Sequence, residues 1–383
     1  MESVELLDRL VGFPTVSSAS NLELIRFAGE FLIERGIEVQ LIPNASGDKA
    51  NLFATVGPRT LPGVILSGHT DVVPVDGQIW TSEPFRLVQR ENRLVGRGAA
   101  DMKGFVACAL NAAARARYRT LAAPLHLALS FDEEIGCLGV RSMLDWLAEA
   151  PVKPRFCIVG EPTLMRIALG HKGKIVARAT CFGFEGHSAL SPRALNAIHL
   201  AVDFVDQLRT RQEEIRRTGA TDPAYDVPFT TIHVGRIVGG GAALNIVPNL
   251  STVDFEIRNI AEDNWIKLLD GIIGDARQLA APYRPRFLSA DIRVETINET
   301  PSLNTPRDGE IVDFVRSIAA DRTVIKVPFG TEAGLFHARL HVPTVVCGPG
   351  SIDQAHRPDE FIERSQLDAC DAMMDRLITR LEA

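Results

Sequence analysis

Leu125-His126-Leu127-Ala128-Leu129-Ser130-Phe131 runs directly into Asp132-Glu133-Glu134 and a turn at Gly136. The heptapeptide is short and apolar and reads as a buried strand, so the acids after it stand at the strand's mouth. Adjacent carboxylates repel, and a pair in that position needs something to hold it. A dinuclear metal site would do so, with Glu134 as ligand and Glu133 pointing into the same cavity without binding, as a general base must. The alternative is a helix N-terminus whose acids oppose the macrodipole.

Four more potential ligands stand at similar places. His69 in Ser67-Gly68-His69-Thr70-Asp71 follows an apolar run, where open α/β sheets build their sites. Asp71, two residues on, can accept the other imidazole N–H and hold the metal-binding tautomer. Asp101 in Gly96-Arg97-Gly98-Ala99-Ala100-Asp101-Met102-Lys103-Gly104 opens a helix and suits a carboxylate bridging two cations. As a nucleotide loop that stretch is weak, because the third glycine is missing and Asp101 would repel a pyrophosphate. Glu161 ends another apolar strand in Val159-Gly160-Glu161-Pro162, and His356 lies in a late loop. Taken singly, His69 also reads as a turn histidine, Asp101 as a helix N-cap, and Glu161 and His356 as structural. Together they make a set of two imidazoles and three carboxylates. Such ligation suits Zn²⁺, with Co²⁺ or Mn²⁺ as substitutes.

Outward from these segments, apolar runs at Ile37–Ile42, Leu52–Val56, Val64–Leu66 and Phe156–Val159 alternate with helical stretches. Leu22 to Arg35 is helical and stops at Gly36, a C′ glycine, and Ala107 to Arg117 is an alanine-rich helix. That pattern predicts an α/β fold, a mostly parallel sheet covered on both faces. Near Gly173 the texture changes to alternating strands (174–182, 229–238, 252–258, 290–294) and two helices (193–217, 266–280), an α+β layer. After Pro301 the first texture returns, with a helix from Ile311, strands at 324–327 and 342–347 and a last helix over 364–381. The expectation is one α/β domain interrupted by an inserted α+β domain.

A chain of 383 residues is long for a single core, which agrees with two domains. The net charge of −7 argues against a nucleic-acid surface, and Glu213 and Glu214 interrupt the short basic run Arg211 to Arg217. No apolar run approaches the ~18–20 residues of a membrane span, and the N-terminus has no signal-peptide pattern. Cys108, Cys137, Cys157, Cys181, Cys347 and Cys370 show no paired spacing, so the thiols read as buried, reduced and cytoplasmic.

Gly68-His69-Thr70-Asp71, Gly98-Ala99-Ala100-Asp101-Met102-Lys103-Gly104, Asp132-Glu133-Glu134, Gly160-Glu161-Pro162-Thr163 and Ala355-His356 resemble, in order, the motif series of the acetylornithine deacetylase / succinyl-diaminopimelate desuccinylase family of zinc metallohydrolases. Glu134-Ile135-Gly136-Cys137-Leu138-Gly139, Gly170-His171-Lys172-Gly173, Gly330-Thr331-Glu332-Ala333-Gly334 and Cys347-Gly348-Pro349-Gly350-Ser351 are most similar to its acetylornithine deacetylase branch. The resemblance implies a zinc aminopeptidase-like catalytic domain of residues 1–176 and 298–383, with an inserted dimerisation and lid domain of residues 177–297. It implies two Zn²⁺ ions, His69 and Glu161 on one, Glu134 and His356 on the other, and Asp101 between them. Glu133 would be the base and Asp71 the orienter of His69, with a cis peptide after Asp101. His187, in Glu185-Gly186-His187-Ser188, would reach across a homodimer to stabilise the partner's oxyanion.

The implied reaction is hydrolysis of the amide of a small N-acyl amino acid, N-acetyl-L-ornithine to L-ornithine and acetate in arginine biosynthesis. Asn245 and Arg258 match positions that contact the substrate carboxylate, for which Arg offers a bidentate fork; loop capping and a strand-face salt bridge are their alternatives. Glu332 is a candidate partner for the δ-ammonium, or else an acid of a helix's first turn. The other readings are succinyl-diaminopimelate desuccinylase, a broader aminoacylase or dipeptidase, and, more distantly, a non-catalytic metal-binding protein. His171 reads as a substrate or supporting group, or as a strand-end histidine.

Overall fold

The computed structural model describes residues 1–241 and 243–382. The chain divides into two compact units: Met1–His171 with Leu303–Val327 and Thr331–Ala383, and Lys172–Ser302 with Pro328–Gly330. The second unit contains the expected insert, residues 177–297, together with a few residues on either side and Pro328–Gly330.

The larger unit is built on a nine-stranded mixed sheet, in the order Glu38–Pro43, Ala50–Val56, Leu125–Ser130, Val64–His69, Phe156–Pro162, Thr344–Gly348, Ile167–His171 and Leu303–Asn304, with Val324–Val327 also pairing with Ile167–His171. Leu125–Ser130, Val64–His69, Phe156–Pro162 and Thr344–Gly348 run parallel to one another, and the outer pairings on this path are antiparallel. The three central strands from 64, 125 and 156 are buried almost throughout, which is why they read as continuous apolar runs rather than as alternation. Because they are parallel, His69, Ser130 and Glu161 all arrive at the same, C-terminal edge of the sheet.

Helix Gly104–Ala116 packs on that sheet, and 11 of its 13 residues are buried. Its alanines let it approach closely enough for this. The core it joins includes Leu6, Leu10, Leu24, Phe31, Leu66, Leu127, Ile158, Met373 and Leu377. Gly36 adopts φ +68° after helix Leu22–Ile33, the conformation expected of a C′ glycine. A small sheet of Val88–Arg90, Arg93–Val95 and Phe361–Glu363 has no counterpart among the sequence expectations.

The inserted unit is a four-stranded antiparallel sheet in the order Thr231–Gly239, Leu250–Arg258, Lys174–Phe182, Asp291–Thr300. Ile175, Ala177, Ala179 and Cys181 of one central strand and Val253, Phe255 and Ile257 of the other turn to one face. There they pack with Phe204 and Leu208 of helix Ala197–Thr218 and Ile272 and Ala276 of helix Trp265–Ala280. Asn196 and Asn264 cap the two helices, accepting from the N–H of Ile198 at 2.8 Å and Lys267 at 3.1 Å. Among the described residues, no helix is long and apolar enough to cross a membrane.

Candidate metal centre

The three parallel strand ends bring the expected ligands together. His69 Nε2 lies 3.0 Å from Asp101 Oδ1 and 3.7 Å from Glu161 Oε1. His356 Nε2 lies 3.2 Å from Asp101 Oδ2 and 3.1 Å from Glu134 Oε2. Asp101 therefore turns one oxygen to each imidazole, and the carboxylates fall into two groups about it. His69, Glu133 and Glu161 also converge, as do His69, Asp101 and Glu134, with ligand atoms within 4.8 Å of one another. The Asp101–Met102 peptide bond is cis.

Electrostatics show what such a cluster requires. Among the described residues, the ion-pair partners of Asp101, Glu134 and Glu161 are His69 and His356 alone. Burial, then the Asp101 charge, lifts Glu161 well above the usual carboxylate range, and the same two causes raise Glu134. Burial raises Glu133 to about 8, opposed by His69 and reinforced by Glu134 and Glu332. Burial would also raise Asp101, but hydrogen bonds with His356 and His69 outweigh it and hold the group low. Hydrogen bonds to Asp101 and then Glu134 push His356 up to about 10. His69 is likewise raised well above its ordinary value, since the Asp101 hydrogen bond and the Glu161 charge outweigh its burial. Without cations the cluster can only keep its protons, whereas two divalent ions would neutralise the carboxylates and take the imidazole lone pairs. The residues fit a dinuclear site of mixed N/O ligation.

The role expected of Asp71 needs correction. His69 Nδ1 donates to the main-chain carbonyl of Asp71 at 2.9 Å, while the Asp71 carboxylate stands 3.6 Å away. A carbonyl only accepts, so Nδ1 carries the hydrogen and Nε2 is free to face the cluster. The Asp71 carboxylate instead accepts from the N–H of Glu133 at 3.1 Å, the N–H of Glu134 at 3.3 Å and the Ser17 hydroxyl at 2.7 Å. It anchors the acidic turn rather than the imidazole.

Comparisons with known proteins show the family of the chain. Residues 65–380 match the model of peptidase family M20/M25/M40. The chain belongs to peptidase family M20/M25/M40. The acetylornithine deacetylase of Proteus mirabilis is 33% identical over 384 residues, covering 98% of this chain and 95% of that protein. That of Photorhabdus laumondii is 33% identical, covering 98% and 96%. In fold, the chain is similar to a Staphylococcus aureus tripeptidase (TM-score 0.76, 17% identity, covering 100% and 98%). It is also similar to a Bacillus subtilis dinuclear metal binding peptidase of the M20 family (TM-score 0.70, 16% identity, covering 99% and 98%). As a member of this family the chain is a metal-dependent amidohydrolase.

Several supporting residues of the M20 site were not legible in the sequence. The Cys137 thiol donates to Glu133 Oε1 at 3.2 Å. The turn closes tightly enough to allow this because Asp132, Gly136 and Cys137 all adopt positive φ, and the N–H groups of Gly136 and Cys137 both return to the Glu133 carbonyl at 2.8 Å. Lys49 Nζ holds the start of the turn, 2.5 Å from Asp132 Oδ1.

Glu332 is engaged by the sheet itself. It is 1% exposed, with Oε1 accepting from Ser130 Oγ at 2.6 Å and Oε2 from Ser67 Oγ at 3.4 Å. Burial raises it to about 7, against the Ser130 hydroxyl. It is held at the sheet by the hydroxyls of two strands, within electrostatic reach of Glu133. His171 is also fully buried, and its Nε2 accepts the N–H of Gly334, so it supports helix Ala333–Leu340 instead of a substrate.

His187, Asn245 and Arg258 lie in the inserted unit. His187 is exposed, and its Nδ1 accepts the Ala189 N–H at 3.1 Å, which leaves the hydrogen on Nε2 of the neutral ring. The exposed Asn245 accepts the Ser188 N–H through its main-chain carbonyl at 2.9 Å. The Arg258 fork is taken by Glu256, at 3.1 and 3.4 Å, so the strand-face ion pair forms where a substrate carboxylate was expected.

Proposed function

We propose that this protein hydrolyses the amide of N-acyl amino acids, N-acetyl-L-ornithine foremost, using two zinc ions. The observation that carries the reading is the placement of Asp101 between two imidazoles, with Glu161 and Glu134 on either side and Glu133 beside them. His69 and Glu161 would hold one ion, Glu134 and His356 the other, and Asp101 would bridge. When bound, a pair of divalent cations supplies Lewis acidity and a water acidified toward a pKa of ~7.

Glu133 takes the proton of the attacking water and returns it to the departing amine. With Oε1 engaged by Cys137, Oε2 is the oxygen left to carry that proton. His187, hydrogenated on Nε2, would donate to the oxyanion of the tetrahedral state in a homodimer made through the inserted unit. The edge strand Thr231–Gly239, exposed along most of its length with Ile237 and Val238 about half exposed, supports such pairing. Six buried free cysteines agree with a reducing, cytoplasmic setting.

With Glu332 buried, the preference for ornithine rests on relatives 32–33% identical that carry that activity's name. A panel of N-acetylornithine, other N-acetyl amino acids, N-succinyl-diaminopimelate and simple dipeptides, assayed with zinc-loaded protein, tests the reading. The highest kcat/KM is expected for N-acetylornithine, with activity abolished by chelator. Hydrolysis of none of the acyl compounds would overturn it.

A further inference from the structure

We infer that Gln78, Arg97 and Glu360 are positioning residues that lock Asp101 and His356 to each other, and so set the affinity for the ion held by Glu134 and His356. This rests on the ligand assignment proposed above. Arg97 and Glu360 are each 1% exposed and form an ion pair at 2.7 Å. The free oxygen of Glu360 accepts the main-chain N–H groups of Ala100 at 2.9 Å and Asp101 at 3.1 Å. The carboxylate therefore grips the backbone that aims Asp101. From the other side, the Arg97 guanidinium donates to the Arg357 carbonyl at 3.3 Å and to Gln78 Oε1 at 2.6 Å, and Gln78 Nε2 donates to the His356 carbonyl at 3.1 Å.

The small sheet explains how these groups meet. Strand Arg93–Val95 pairs with Phe361–Glu363, and the Gly96 N–H bonds the Glu360 carbonyl at 2.9 Å, which sets Arg97 beside Glu360. The support matters most for His356. Its side chain is 49% exposed, whereas those of His69, Asp101 and Glu134 are 1%, 6% and 8% exposed. Its backbone lies in the left-handed region at φ +61°. Packing that immobilises the other ligands is thin there, so carbonyl bonds from Gln78 and Arg97 restrain the segment. His69 takes its restraint elsewhere, from the Asp71 carbonyl. The bonds to the His356 segment should thus act mainly on the ion held by Glu134 and His356, whereas the Glu360 grip on Asp101 bears on both.

Zinc titration of the metal-free protein against a chromophoric chelator tests this by binding, independent of turnover. The parent should take up two equivalents per chain. Gln78→Ala removes the His356 bond and one acceptor of Arg97 while keeping the Arg97–Glu360 ion pair, and should weaken one equivalent by ~10-fold or more, the other changing less. Glu360→Gln, which loosens the backbone aiming the bridging Asp101, should weaken both equivalents. If that variant unfolds because Arg97 is left unpaired, Gln78→Ala alone decides. Parental affinity for both ions in Gln78→Ala, or equal weakening of both, would overturn the inference. His356→Ala is the reference: if it still binds two equivalents as tightly as the parent, the ligand assignment fails, not the network.

Discussion

The Asp71 carboxylate accepts the main-chain N–H of Glu133 at 3.1 Å, and this bond ties the candidate base to the strand that delivers His69. With the Glu134 N–H on its other oxygen, one buried acid sets the direction of both a proton acceptor and a ligand. Asp71→Ala should therefore lower kcat by about 10- to 100-fold with a much smaller change in KM. Asp71→Asn keeps one acceptor oxygen and should lie between the two. Steady-state kinetics of the three proteins check this, and a parental kcat in Asp71→Ala would contradict it.

Glu133→Gln separates the base from the ligands. The variant should bind both metal equivalents while losing about 10²- to 10⁴-fold in kcat. Metal content by atomic emission, measured beside turnover, checks both halves. Retained activity would remove Glu133 from the proton-transfer step.

The Cys137 hydrogen bond gives a finer prediction. Burial, with the charge of Glu133 adding to it, pushes the thiol well above its ordinary pKa, so it stays protonated and remains a donor. A thiol is a weak donor, and its loss is worth on the order of 1 kcal/mol, about fivefold in rate. Cys137→Ala should show that loss in kcat, and Cys137→Ser should recover most of it. Equal rates for both variants would mean that the thiol only fills space.

His126 lies at the beginning of strand Leu125–Ser130, far along the sheet from the acidic turn, and its Nδ1 is 2.9 Å from Thr55 Oγ1. Burial lowers its pKa to about 4. An unfolded histidine, near 6.5, binds a proton that the folded one refuses, so this group's contribution to stability is present above pH 6.5 and lost as pH falls toward 4. The loss approaches on the order of 3 kcal/mol at pH 4. His126→Gln should flatten the acid limb of the melting-temperature profile. An unchanged difference between pH 7 and pH 4.5 would rule the group out.

Much of this was legible in the chain itself. Continuous apolar runs such as Leu125–Ser130 and Phe156–Pro162 have few alternatives to buried parallel strands, and residues at their ends have few places to go but one sheet edge. What escaped the sequence acts through backbone or through depth. Glu360 matters because it accepts two N–H groups from a segment 259 and 260 residues away, a contact with no local signature. Glu332 looks like any acid at a helix start, and only the fold buries it against Ser67 and Ser130. Arg258 is different: Glu256, two residues earlier on the same strand face, was a visible partner for its fork.

The most direct test of the dinuclear centre is anomalous diffraction at the zinc edge from crystals of the zinc-loaded protein. Two peaks ~3.5–4 Å apart are expected, one contacted by His69 and Glu161, the other by Glu134 and His356, with one Asp101 oxygen on each. A single peak, or a pair bound away from these five side chains, would contradict the assignment.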